Sequence, residues 1–180
     1  MSRDNPSTEA PRVRRDRLYA EAAEALGPAL ARLARAVERD AERARDLEQD
    51  IHLALWRSLE RFAGACALST WTYRVAHNVA ASHTLSGARA ARLVGIEAIA
   101  DLPAADNPEH EAGEAHALAR LHGLIARLTP DDRAVILLYL EGLDARQIGE
   151  ITGQTANAIG VKVHRIKALL TRHFSPGDPA

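Results

Sequence analysis

A chain of 180 residues has room for one ordinary domain or two small ones and is too short for a catalytic barrel. Its one cysteine, Cys66, excludes an internal disulfide framework or a four-thiolate metal site, and no stretch approaches the ~20 continuous apolar residues of a membrane span. The N-terminus, Met1 to Arg17, is polar and Arg-rich rather than a signal peptide, so a soluble protein of the reducing cytoplasm is expected, without membrane insertion. Ala supplies 36 residues and aromatics only 4%, a stock of helix formers that predicts an all-α chain.

Residues 1–14 carry Pro6, Pro11, Ser and Arg without periodicity and are expected to form a disordered tail. A first module is expected over residues 15–85. Its first helix runs from near Arg15 to Leu26 and stops at Gly27-Pro28, after which Leu30, Leu33, Ala34 and Val37 repeat on one helical face. A second face follows in Leu47, Ile51, Ala54, Leu55, Ser58, Leu59 and Phe62, closing before Gly64. A third helix is expected from about Ser69 to His83 with Trp71, Val75 and Val79 inward. Residues 86–115, rich in Gly, Ala, Pro, Asp and Glu, read as a flexible acidic linker with at most a short turn near Ile96 to Ile99.

A second module is expected over residues 116–174, with a short tail at 175–180. It opens with Leu118, Leu121, Ile125 and Leu128 at helical spacing. Thr129-Pro130-Asp131-Asp132 then supplies an N-cap, a first-turn proline and two acids for a helix reaching Gly142. Asp144 caps a short helix that Gly153 ends, and Thr155 caps a last helix with Ile159, Val163, Ile166 and Leu170 inward. A short helix, a turn with Gly and a longer basic helix make a helix-turn-helix, in which Gly149 is small enough for a close crossing. The outer face of its last helix carries Asn157, Gly160, Val161, His164 and Arg165.

The net charge of -1 hides a strong segregation, with -6 over residues 93–117 and +3 over both 1–92 and 151–180. No acid occurs from Arg61 to Ile96 or from Ile151 to Gly177, while Arg and Lys remain in both windows. A phosphate-facing surface requires that exclusion, because each carboxylate there would repel the backbone that the cations attract. The positive charge is 21 Arg against 2 Lys, which favours planar, bidentate contacts.

At these residues the sequence resembles the extracytoplasmic-function sigma factors of bacterial RNA polymerase. Leu140 to Leu170 resembles their fourth conserved region, which binds the minus-35 promoter element. RDLEQDIHLALWRSLERF, Arg45 to Phe62, resembles the polymerase-binding helix of the second region, and STWTYRVAHNVAASH, Ser69 to His83, its minus-10 helix. The resemblance covers about residues 15–174 and implies core RNA polymerase, promoter DNA and an anti-sigma factor as partners, with no cofactor. It places polymerase binding on Asp46, Gln49 and Asp50, which also share one helical face at i, i+3, i+4 spacing. It places minus-10 contacts on Trp71, Arg74 and Asn78, with Tyr73 in the same matching stretch, and minus-35 contacts on Thr155, Asn157, Lys162, His164 and Arg165.

Three departures bear on DNA affinity: Ala65 stands where the family usually has Asp, only Arg89 and Arg92 remain of an Arg run, and Gly160 replaces a basic residue. About 28 linker residues reach roughly 30 Å as a free coil. The two promoter elements lie on the order of 50 Å apart at ~3.4 Å per base pair, so the polymerase is expected to hold the linker extended.

Enzymatic and metal readings find no support in the pattern. His77 and His83, like His116 and His122, are six apart and so on different helical faces, and HEAGEAH is not HExxH. Cys66 has no adjacent His or Arg to make a thiolate. Two other readings remain: a free-standing helix-turn-helix regulator, which lacks a dimerising segment after Phe174, and a sigma-like interaction decoy that reads DNA weakly.

Overall fold

The computed structural model describes residues 10–38, 40–87 and 114–174. Expectations for residues 1–9, for the linker over 88–113 with its turn at 96–99 and with Arg89 and Arg92, and for the tail at 175–180 lie outside the described residues. The described residues form seven α-helices and no strand: α1 (Pro11–Val37), α2 (Ala41–Ser58), α3 (Leu68–Gly87), α4 (Glu114–Ile125), α5 (Pro130–Leu140), α6 (Ala145–Thr152) and α7 (Ala156–Phe174). They divide into two compact units, one over Met1–His83 and one over Thr84–Ala180.

In the N-terminal unit, α1 corrects the expectation of a break at Gly27-Pro28 by running unbroken through both residues. Pro28 is exposed and costs the helix one N–H, but buried residues continue on both sides of it, Leu18 and Ala22 before, Ala29, Leu30, Leu33 and Ala34 after. Packing of that continuous stripe along α2 outweighs the local breaker. The helix also begins at Pro11, inside the expected tail, because side chains near its start are fastened down. An Arg14 Nη2 donates to the Phe62 carbonyl at 2.9 Å, the Arg15 guanidinium lies 3.5 Å over the Trp56 ring, and Trp56 Nε1 donates to Asp16 at 3.0 Å.

Helix α2 starts at Asp40, whose carboxylate accepts the Glu42 and Arg43 amides at 2.9 and 3.0 Å. Those bonds, the Arg43 amide foremost, hold the Asp40 carboxyl below its ordinary range although burial acts the other way. Leu47, Ile51 and Leu55 are fully buried, and a 3₁₀ turn (Leu59–Arg61) brings Leu59 and Phe62 into the same core.

Helix α3 packs Trp71 and Val75 against the Leu55/Leu59/Phe62 cluster as expected, but its most buried residues lie beside that stripe. Thr72, Tyr73, Ala76 and Ala80 are buried, while Trp71, Val75 and Val79 are half-buried. Thr72 can be buried because its hydroxyl donates to the Leu68 carbonyl at 2.8 Å. Cys66 packs partly buried against the Leu55/Leu59/Phe62 cluster.

The C-terminal unit sets three short helices before the 19-residue α7, with a polar device at nearly every end. The Asp132 amide donates to Thr129 Oγ1 at 3.3 Å, the start expected for α5. Asp144 and Gln147 form a reciprocal capping box on α6, with bonds of 2.8 and 2.9 Å. Gly153 ends α6 in the left-handed region at φ 76°, and Thr155 caps α7 by accepting the Ala158 amide at 3.2 Å. Gly149 crosses the turn so closely that a Cβ there would lie 2.6 Å from the Gln154 carbonyl oxygen. The helix-turn-helix is thus present as expected. A core of Ile125, Leu128, Ile136, Ile166 and Leu169, with Leu121, Leu124, Leu137 and Leu170 packed around it, joins α7 to α5 and to the end of α4.

One buried cation holds this unit together. Arg133 is nearly inaccessible and donates to the carbonyls of Ile125, Ala126 and Leu128, closing the C-terminal end of α4.

Candidate functional site

The candidate residues fall on three helices. On α2, Asp46, Gln49 and Asp50 are all exposed, on the side opposite buried Leu47, Ile51 and Leu55. The spacing i, i+3, i+4 brings their polar ends to one patch. At i+7 from Asp46 the same stripe carries Leu53, 45% exposed, an apolar residue in the middle of polar ones. The reading of polar types alone passed over Leu53, although its spacing was the available signal. This patch offers acceptors around one greasy point, a surface suited to cationic protein side chains rather than to phosphate.

On α3 the candidates are distributed unequally. Asn78 is exposed and Arg74 half-buried. Trp71 packs edge-to-face on Phe62, centroids 5.4 Å apart, and its Nε1 donates to Ser58 at 2.9 Å. Its ring is committed to the unit's own core edge. Tyr73 is buried outright, so it has no face to offer a base. At the helix's far end His83 Nε2 lies 3.2 Å from a Glu38 carboxylate oxygen, tying α3 to the end of α1.

On α7, Asn157, His164 and Arg165 are exposed, together with Gly160 and Val161, opposite the buried Ile159, Val163, Ile166 and Leu169. Thr155 is exposed at the helix start, its hydroxyl already capping. Lys162 is held by a neighbouring helix. Its ammonium pairs with Asp132 of α5 at 3.2 Å, the two side chains 29% and 15% exposed. Asp132 is itself fixed by the Thr129 hydroxyl, which donates to its other oxygen at 2.9 Å. A phosphate would have to draw Lys162 away from a preset carboxylate. Lys167 lies over the Tyr139 ring and donates to its hydroxyl at 3.3 Å. The acid-free window from Ile151 to Gly177 contains all of α7, so no carboxylate of that helix opposes a polyanion.

Among the described residues no group of three or more His, Cys, Asp or Glu is placed to hold a metal, and no helix is long and apolar enough to cross a membrane.

Comparison with known proteins finds the same two-part division. Residues 22–90 match the sequence pattern of Sigma-70 region 2, and residues 118–170 that of Sigma-70 region 4. The chain is 26% identical over 149 residues to the RNA polymerase sigma-H factor of Pseudomonas aeruginosa, covering 76% of each protein. It is 27% identical over 140 residues to the ECF RNA polymerase sigma-E factor of Haemophilus influenzae, covering 73% of this chain and 74% of that one. Among solved structures it resembles CnrH in complex with the cytosolic domain of CnrY, with a TM-score of 0.63 at 20% identity, over 91% of this chain and 96% of the other, a likeness of fold.

Proposed function

The chain belongs to the extracytoplasmic-function family of RNA polymerase sigma factors and is not an enzyme, and from that premise we propose that it binds core RNA polymerase through α2 and confers promoter recognition through α3 and α7. The observation that carries this reading is the pair of exposed faces with opposite chemistry: acids and an amide around Leu53 on α2, and an acid-free outer face on α7. The first suits the cationic side chains of a protein partner, the second the phosphates and base edges of a duplex. On this reading Asp46, Gln49 and Asp50 grip the polymerase, Arg74 and Asn78 meet the minus-10 element, and Asn157, His164 and Arg165 meet base edges of the minus-35 element. Trp71 serves the minus-10 helix by fixing it to Phe62 and Ser58 rather than by stacking on a base. Thr155 positions the N-terminus of α7 toward a phosphate. The workplace is the cytoplasm, and an anti-sigma domain is a further partner; the solved relative CnrH is likewise seen in complex with a second protein, the cytosolic domain of CnrY.

The test is run-off transcription with core polymerase on a genomic fragment library, with and without the chain. Discrete new transcripts are expected, and Asp50→Arg abolishes them together with retention of the chain on immobilised core. Sequence-selective duplex binding by the chain alone, without stimulated transcription, identifies a free-standing regulator instead. Retention on core without transcripts identifies an interaction decoy, the reading that the Lys162–Asp132 pair favours.

A further inference from the structure

We propose that Val161 reads a thymine of the minus-35 element through the C5-methyl group that this base presents in the major groove; the inference rests on the promoter-reading role of α7. At 100° per residue the stripe directly opposite the buried Ile159, Val163 and Ile166 is Asn157, Val161, His164 and Ala168, and all four are exposed. Val161 is 53% exposed in the middle of it. Nothing in the fold asks for valine there. A β-branched side chain loses rotamer freedom in a helix, and its apolar surface gains nothing from water, so an ordinary solvent position would carry Ala, Glu or Lys. A local choice that conflicts with folding is expected where a surface is kept for a partner.

The surroundings select the partner. Helix-in-groove recognition by a protein needs apolar anchors repeating at i, i+3 or i+4, and i+7. Here Val161 is flanked along the stripe by Asn157, His164 and Ala168, so a protein groove would gain one branched side chain and bury two polar ones. A duplex asks for the reverse: polar groups for base edges, one apolar contact for the thymine methyl, and no acid nearby. Along α7 itself no acid occurs from Ile151 to Gly177, and the carboxylate that α5 brings up beside it, Asp132, is paired with Lys162. Val161 lies in the second turn of α7, the part of a recognition helix whose side chains reach base edges. At the neighbouring Gly160 a Cβ would have open space around it, so the glycine serves no internal packing and leaves the helix surface low beside Val161. The valine methyls can then approach the floor of the groove. Asn157 and His164, one turn to either side, fix which base pair they face.

The experiment uses the holoenzyme assembled from this chain and core polymerase. A minus-35 element is first selected from a pool of duplexes randomised in that region. Each thymine of the enriched element is then replaced singly by deoxyuridine, which lacks only the methyl group. One replacement is expected to weaken holoenzyme binding about three- to fourfold, the effect of uncovering one methyl. With Val161→Ala, which suits a helix better than valine, that replacement causes no further loss. Deoxyuridine that is neutral at every position, the same penalty with Val161→Ala, or an enriched element without thymine overturns the assignment while leaving α7 a DNA reader. Failure to enrich any minus-35 sequence overturns the promoter-reading role itself, and this inference with it.

Discussion

The N-terminal unit is held by length and the C-terminal unit by its ends. Helices α1, α2 and α3 have 27, 18 and 20 residues and meet along apolar faces, with α1 starting on Ala10 without any side-chain cap. Helices α5 and α6 have 11 and 8 residues, near or below the length at which a helix is marginal in water. Each starts on a side-chain cap, and α4 is closed by Arg133. Short elements must satisfy their end groups because those groups are a larger share of the whole. The difference fits two tasks: a broad docking unit, and a small reader whose last helix must be aimed accurately.

Breaking each unit by its own means tests the contrast. Leu47→Ala removes a fully buried side chain from the α1–α2 seam and is expected to cost about 3 to 4 kcal/mol. Both tryptophans, Trp56 and Trp71, belong to this unit, so fluorescence during denaturant unfolding reads the loss directly. A cost well below ~2 kcal/mol would mean the seam relaxes into the space and length is not what holds it. Arg133→Met keeps the apolar stem but strips the Ile125, Ala126 and Leu128 carbonyls of their donor, an expected loss of about 2 kcal/mol. Amide hydrogen exchange in α4 and α5 checks it, and unchanged protection would show that solvent serves those carbonyls equally well.

The same contrast explains how far the sequence could be read. Caps are local events, so Thr129, Asp144, Gly153 and Thr155 were all recognisable, and the helix-turn-helix with them. The seam is not local. Gly27-Pro28 reads as a stop within its own neighbourhood, and only burial of Ala29 and Leu33 on the same side as Leu18 and Ala22 carries α1 through it. Large apolar types marked Trp71 and Val75, which do pack on the core, but not Thr72, Ala76 and Ala80, which are buried more fully although their types carry no apolar signal of that size. Of the site, the outer faces followed from periodicity. The pairing of Lys162 with Asp132, 30 positions away, did not, since no spacing rule spans two helices.

That pair sharpens the comparison of the two interaction faces. The acids of α2 are open to a partner, but one of the cations expected on phosphate is held by Asp132. Asp132→Asn keeps an oxygen for the Thr129 hydroxyl while releasing the ammonium. Holoenzyme binding to promoter duplex is expected to tighten by about two- to fourfold at low salt and to gain about one unit of salt slope. Lys162→Ala should change both quantities little. A loss of one unit of slope on Lys162→Ala, with Asp132→Asn neutral, would mean that DNA draws the lysine off its partner unaided.

The smallest effect comes from the one side-chain cap seen in the N-terminal unit. Asp40 stands at the start of α2 and accepts the Arg43 and Glu42 amides, the Arg43 bond contributing most to holding its carboxyl below the ordinary value. A carboxyl with a lower pKa folded than unfolded adds stability that is complete above the unfolded value, near pH 4, and fades as the pH falls through the folded one. Asparagine is an equally good N-cap that does not titrate. Wild type should therefore be slightly more stable than Asp40→Asn at neutral pH, by the attraction of the charge to the helix N-terminus, and the gap should close on acidification. Denaturant midpoints read by tryptophan fluorescence at pH 7 and pH 3 measure it. Because the helix that Asp40 caps is already fixed by Leu47, Ile51 and Leu55, its removal should be felt less than loss of the Asp144 capping box on the eight-residue α6. If Asp40→Ala lowers the stability of its unit, read by tryptophan fluorescence, as far as Asp144→Ala lowers that of the C-terminal unit, read by amide hydrogen exchange, the long helix depends on its end as much as the short one, and the division between the two units fails.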